Sequence, residues 1–337
     1  MCNPKDNMID DLAKRDFIVF AGAGASMVTG IKKWRELLGV LNRLVALKGV
    51  NIEEIDPLHF PEIAQMIYDR LENDGRIAKY YEAIQECMKP TQCSWVAAHQ
   101  KIIRASSSIV TTNIDSVFEK AISDAIENQP RWVPSGQRLS YQTLENLDVE
   151  KTMDPYSVTY LHGRCDKKEM ILKTCDYFKY YRVRNGGAIS GLEKVLKDVF
   201  CRREGIVFVG FSFGDRFVLE TFERGFNELK MAVGDVKGRK DVRPEDIKHY
   251  AFFENPFEGG LDYENWLIEK SIDFNPDSTE KKDAIEAEKL RKHERRLRDI
   301  NIEVIRYEHD KHIEIESYFE GIYNNKRRLH DFPGNEI

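Results

Sequence analysis

The sequence predicts an α/β fold: a Rossmann-like, doubly wound, mainly parallel sheet that carries an inserted helical module. Three observations predict it. Apolar, β-branched runs recur at residues 17–21, 108–111, 157–161, 205–211, 249–253 and 302–307. Helix-like segments separate most of them, and strands that alternate with helices pair in parallel. Four of the runs end in a short polar or glycine turn: GAGAS (22–26), TTNID (111–115), LHG (161–163) and GFSFGD (210–215). In an open parallel sheet, ligands gather beyond the carboxyl ends of the strands. The four turns are therefore four candidate walls of one pocket.

Taken in order, the run Phe17-Ile-Val-Phe20 delivers GAGAS, and a Gly30-Ile31 turn then leads to a helix from about Trp34. Residues 31–105 carry little strand signal. Leu37, Leu38, Val40, Leu41, Leu44 and Val45, then Ile63, Met66, Ile67 and Leu71, recur at helical spacing. Residues 50–95 thus read as a helical module inserted into the sheet domain and packed over its ligand edge. Ser108-Ile-Val110 delivers TTNID, with Asp115 or Ser116 placed to cap a helix that opens at Val117. Ser157-Val-Thr-Tyr160 delivers LHG, and Ile206-Val-Phe-Val209 delivers GFSFGD. Residues 234–248 read as a polar surface loop. Residues 278–299 read as a helix of alternating charge with Ile285, Leu290 and Leu297 as its sparse apolar positions. That helix is either a solvated face with a thin docking stripe or a subunit contact. Residues 1–337 together read as a single domain.

Composition bounds the class. A chain of 337 residues, 42% apolar and 11% aromatic, can bury a sizeable core. No apolar stretch approaches the roughly 20 residues of a membrane span. The opening Met1-Cys-Asn-Pro-Lys-Asp lacks the regions of a signal peptide, so a cytoplasmic protein is expected. Cys2, Cys87, Cys93, Cys165, Cys175 and Cys201 are scattered without a C-x-x-C pair. That spacing argues against a disulfide framework and against structural zinc, and no metal is expected. A net charge of −6 gives no global attraction to nucleic acid, and direct binding to it is not expected.

Each motif admits a chemical and a structural reading. The glycines of GAGAS let backbone N–H groups approach a pyrophosphate, and the Ser26 hydroxyl adds a donor. The spacing is not G-x-G-x-x-G, so a purely structural glycine turn stands beside that reading. Asn113 and Asp115 share side-chain parity beyond a strand, where an amide and a carboxylate can bind ribose hydroxyls and orient a water; the alternative is a helix cap. His162 sits between a strand and Gly163. Its ordinary pKa suits a general base at neutral pH, although a lone histidine is also a common structural residue. Ser212 lies between Gly210 and Gly214 and can reach ribose or phosphate, while Asp215 is placed as a cap.

In order, residue type and strand context, these motifs resemble the sirtuin superfamily, whose members break the glycosidic bond of NAD. The family's phosphate loop is matched by Gly22, Ala23 and Gly24 with Ser26, and its T-Q-N-x-D motif by Thr111, Asn113 and Asp115. Its catalytic histidine and following glycine are matched by His162 and Gly163, and its G-x-S turn by Gly210 and Ser212. The resemblance covers residues 11–325. This chain departs from the deacetylases: their paired cysteines are missing, and Thr112 stands where the motif has Gln. The Gly30-Ile31 turn also leads into Trp34-Arg35 where deacetylases carry a proline and a phenylalanine. The variation is similar to that of bacterial sirtuin-like NADases of antiphage defence.

The resemblance implies hydrolysis of NAD to ADP-ribose and nicotinamide, with NAD as substrate and no metal. It implies that Asn113, Asp115 and His162 are catalytic and that Gly22, Ala23, Gly24, Ser26, Thr111, Gly210 and Ser212 bind the nucleotide. A homo-oligomer and a HerA-type ATPase partner are further expectations. The alternatives are NAD-dependent protein deacylation or ADP-ribosyl transfer, and a non-catalytic sensor of NAD or ADP-ribose.

Overall fold

A computed structural model describes residues 4–91, 95–128, 130–181, 190–232, 244–254, 279–307 and 313–330. The apolar runs form β1 (Ile18–Ala21), β2 (Ser108–Thr111), β3 (Ser140–Gln142), β4 (Ser157–Tyr160), β5 (Ile206–Val209), β6 (His249–Glu254) and β7 (Ile302–Tyr307). These make a seven-stranded sheet in the order β3-β4-β2-β1-β5-β6-β7, and every pairing is parallel. The Rossmann-like architecture expected from the sequence is present.

The helices in chain order are α1 (Pro4–Ala13), α2 (Ala23–Met27), α3 (Trp34–Val45), α4 (Phe60–Asn73), α5 (Ile77–Cys87) and α6 (Trp95–Ala105). They continue with α7 (Val117–Asn128), α8 (Thr174–Tyr181), α9 (Gly191–Phe200), α10 (Arg216–Ala232), α11 (Thr279–Asp299) and α12 (Ile313–His330). Both sheet faces are covered, which is why all four residues of β1, β2, β4 and β5 are buried. Alternate strand residues point to opposite faces. Val19, Ile109, Val158, Val207 and Tyr250 join one core with α1, α6, α7 and α12. Ile18, Phe20, Val110, Phe208 and Ala251 join the other with α8, α9, α10 and α11.

The unexpected strand is β3. Ser140 and Tyr141 are exposed and Gln142 alone is buried, so an edge strand of three residues leaves no apolar run to read. It adds to the sheet through β4, where Gln142 Nε2 donates to Thr159 Oγ1 at 3.2 Å.

The apolar positions of the long strand-poor interval fall on α3, α4 and α5. Their Leu37, Leu38, Leu41, Ile63, Ile67, Leu71 and Ile84 form a third core that includes Ile114, Met170 and Leu172. Those last three residues follow β2 and β4, so the inserted module docks on loops at the carboxyl edge of the sheet. On α11, Leu297 is buried against the second face and Leu290 is half-buried, while Arg296 pairs with Glu223. The Ile285 side chain, Cys2, Cys93 and residues 234–243 of the expected surface loop lie outside the described residues. Among the described residues no helix is long and apolar enough to cross a membrane.

Candidate active site

The strand order reverses at β1, which has β2 on one side and β5 on the other. At such a switch point the loops diverge to opposite faces and leave a crevice. Register puts four loop-bearing ends side by side. Ala21 pairs with Thr111 and with Val209, and Thr111 pairs with Tyr160.

The loops after β1 and β2 are joined by direct hydrogen bonds. Asn113 Nδ2 donates to the Gly22 carbonyl at 2.9 Å and to Ser26 Oγ at 3.1 Å. Ser26 Oγ in turn donates to Asp115 Oδ1 at 3.3 Å, and the same oxygen accepts from Val117 N at 2.9 Å. Asp115 therefore caps α7 and is tied through Ser26 to Asn113. The orientation of the amide is set by its partners: a carbonyl needs a donor, so Nδ2 faces Gly22 and Oδ1 is left able to accept. Thr111 is engaged within the protein. Its hydroxyl donates to the Ala21 carbonyl at 2.8 Å and accepts from Asn113 N at 2.9 Å. With both functions engaged and the residue buried, it braces Asn113 from beneath.

The glycine turns after β1 and β5 are packed on each other. A Cβ on Gly22 would lie 2.5 Å from the Gly210 oxygen, and one on Gly210 would lie 2.0 Å from Ala25 N. Gly210 also holds a φ of 62°, in the left-handed region that suits glycine. The amides of Gly22, Gly24 and Ala25 donate to the Val209, Gly210 and Gly22 carbonyls. In this conformation those amides hold two turns together, and the GAGAS residues open the short helix α2 with Ala23 at its first position. Ser212 is exposed, and its Oγ accepts from Gly214 N at 3.3 Å.

His162 lies in a second cluster. Its Nε2 is 2.7 Å from the Tyr181 hydroxyl and 3.8 Å from Asp215 Oδ2. Tyr177 OH donates to Asp215 Oδ2 at 3.0 Å, and Asp215 Oδ1 caps α10 by accepting from Phe217 N and Val218 N at 3.0 and 3.1 Å. Tyr177 and Tyr181 present their rings edge-on to the imidazole. No hydrogen bond between described residues joins His162 directly to Asn113. The sequence reading missed the two tyrosines, whose signal was their four-residue spacing on one face of α8.

Burial governs the electrostatics. Desolvation pushes the Asp115 carboxyl up to about 6, against the lowering effect of the Val117 and Ser26 hydrogen bonds, and its Oδ2 is buried without a partner. Desolvation lowers the His162 pKa below its ordinary 6.5, and Asp215 partly restores it. His162 is therefore neutral at pH 7. Ser26, Asn113, Asp115 and His162 are all buried, and the site is closed. A cleft of about 480 Å³ opens beside it, lined by Ser116, Lys120, Cys165 and Asp166 from the sheet domain and by Glu82 and Glu86 from α5. The converging polar groups, not this cleft, mark the candidate site, because they lie at the switch point. Among the described residues no group of three or more His, Cys, Asp or Glu side chains is placed to hold a metal ion.

Residues 107–275, half of the chain, match the model of the SIR2-like domain family. The chain belongs to the SIR2-like domain family. The matched span holds Asn113, Asp115, His162, Gly210 and Ser212, and the loop at residues 22–26 reaches this SIR2-like core through the Asn113 and Gly210 contacts. The chain is similar to the NAD(+) hydrolase ThsA of Acinetobacter baumannii (strain 532279), 25% identical over 214 residues. That match takes in 62% of this chain and 39% of ThsA. Two solved structures are similar at low identity. One, from work on the mechanism and regulation of Sir2 enzymes, has 14% identity and a TM-score of 0.43, covering 98% of this chain and all of that one. The other, a crystal structure of a Sir2 homolog–NAD complex, has 15% identity and a TM-score of 0.37, covering 77% of this chain and 85% of that one.

The raised pKa of Asp115 makes a prediction about stability. A pKa that rises from 3.8 in the unfolded chain to about 6 in the fold contributes stability below pH 3.8 that is lost as pH passes 6. Above pH 6 the buried carboxylate thus costs on the order of 3 kcal/mol. Asp115→Asn keeps an oxygen for Val117 N and removes the charge. Thermal melts are expected to show the variant more stable than wild type at pH 8, with the gap closing toward pH 4. A variant less stable at pH 8 would show that Asp115 is charge-compensated.

Proposed function

We propose that this SIR2-like protein hydrolyses NAD at the nicotinamide glycosidic bond, giving ADP-ribose and nicotinamide. The observation that carries the reading is the Asn113–Ser26–Asp115 network at the switch point, with His162 delivered by the adjacent strand. The similarity to an NAD(+) hydrolase supports it.

In this reading Asn113 Oδ1 orients the attacking water against the nicotinamide ribose, with Asp115 as the neighbouring acceptor. His162 takes a proton from that water or from a ribose hydroxyl as an oxocarbenium-like ribose forms and neutral nicotinamide leaves. The turns at residues 22–26 and 210–212 form the floor for the pyrophosphate and adenosine, with the Ala23 amide and the Ser212 hydroxyl as donors, while the Ser26 hydroxyl donates to Asp115 and holds Asn113 beside them. The closed site must open to admit the nucleotide. Nicotinamide release from NAD, with and without an acylated peptide, tests the reading. Peptide-independent release supports hydrolysis; release only with peptide indicates a deacylase; binding without release indicates a sensor.

We further read the chain as one catalytic domain with a helical insert, acting as an NAD-depleting effector in antiphage defence. Unrestrained NAD hydrolysis would drain the host's cofactor, so activity is gated by assembly, as a homo-oligomer and with a HerA-type ATPase. Light scattering across a concentration series is expected to show self-association that rises together with specific activity. A monodisperse monomer with full, concentration-independent activity would defeat this expectation.

A further inference from the structure

A neutral imidazole works as a base through one nitrogen while the other carries its proton, and the group facing the second nitrogen decides which is which. In His162, Nε2 faces the Tyr181 hydroxyl at 2.7 Å and the Asp215 carboxylate at 3.8 Å, while Nδ1 makes no hydrogen bond to a described residue. Among the described residues, three polar groups face the ring: Tyr177 and Tyr181 from α8, and Asp215 from the start of α10. Asp215 cannot swing away. Phe217 N, Val218 N and the Tyr177 hydroxyl hold its two oxygens.

We propose that Asp215 and Tyr181 are positioning residues for His162: they keep the proton on Nε2, so that Nδ1 presents its lone pair to the reacting hydroxyl or water. The proposal rests on the reading of His162 as the base. A carboxylate attracts an N–H and repels a nitrogen lone pair, so Asp215 favours the Nε2–H form, with the Tyr181 oxygen as its acceptor. In the step itself, an O–H bond of the attacking water breaks and a new N–H bond forms at Nδ1. The oxygen keeps its electron pair and bonds to the ribose carbon as the bond to nicotinamide breaks. His162 then carries a positive charge near Asp215. The relation follows the general rule that a catalytic base is oriented by a third group.

Nitrogen-15 NMR of histidine-labelled protein, with the His162 signals assigned by their loss in His162→Ala, reads the arrangement without turnover. At pH 7.5 the proton is expected on Nε2, and Asp215→Asn, which retains a capping oxygen, is expected to move the His162 titration to lower pH. In the assay, Asp215→Asn is expected to lower kcat about 10–100-fold with KM within about threefold of wild type, and to shift the acid limb the same way. Tyr181→Phe keeps the ring stacking and removes only the oxygen. It is expected to lower kcat and to remove the hydrogen-bond shift of the Nε2–H signal. A proton on Nδ1 in wild type, or an unmoved titration together with unchanged kcat in Asp215→Asn, would overturn the proposal. These NMR outcomes stand whether or not NAD is cleaved; absence of nicotinamide release instead removes the proposed function.

Discussion

Replacing His162 with alanine is expected to lower NAD cleavage by about 10²–10⁴-fold, the usual contribution of a positioned general base. The histidine is buried at the carboxyl end of β4, with its pKa held below 6.5 by desolvation. It is thus neutral and able to accept a proton across the physiological range, and cleavage is expected to be level above pH 7. On the acid side two groups take up protons, His162 and Asp115, the latter at about 6, so activity falls as pH drops through that region. The alanine variant loses the base and also leaves a gap against Tyr177 and Tyr181, which makes proof of folding part of the test. A melt and a near-ultraviolet spectrum serve for that. Cleavage within about threefold of wild type in folded protein would remove His162 from the mechanism.

The sheet was legible because both its faces are buried. Ile18, Val19 and Phe20, like Ile206, Val207 and Phe208, must be apolar at every position, and that leaves short continuous runs bounded by turns. Edge strand β3 carried no such mark, since only Gln142 is buried. The four loop motifs were legible as residues at strand ends, but their division of labour was not. Glycine spacing alone does not say whether the missing side chain makes room for a phosphate or for another backbone. Here Gly22 and Gly210 make room for each other's turns. Nor does the Thr111 motif position state that its hydroxyl bonds to Ala21 and Asn113. Tyr177 and Tyr181 reach His162 across an interval of 15 and 19 residues, and nothing local in TCDYFKYY states that partnership.

Asn113→Ala is expected to abolish measurable turnover while NAD binding is largely kept. In the proposed mechanism the amide occupies the reacting end of the site, and its Oδ1 is the acceptor left over once Nδ2 has bonded to Gly22 O and Ser26 Oγ. On that reading, removing it takes away the group that orients the water and leaves the proposed pyrophosphate and adenosine contacts of residues 22–26 and 210–212. Binding energy at the unreactive end persists, and the transition-state contact is lost, so the effect falls on kcat more than on KM. The same amide ties the β1 loop to the β2 loop. Its loss leaves a buried carbonyl and a buried hydroxyl short of a partner, a stability cost of about 1–3 kcal/mol. Calorimetric titration with NAD and turnover are therefore measured on one sample, below the variant's own melting range. A variant that binds NAD weakly but turns over at the wild-type rate when saturated would move Asn113 from the reacting centre to the binding floor. Loss of turnover with binding kept would place the amide where the chemistry occurs.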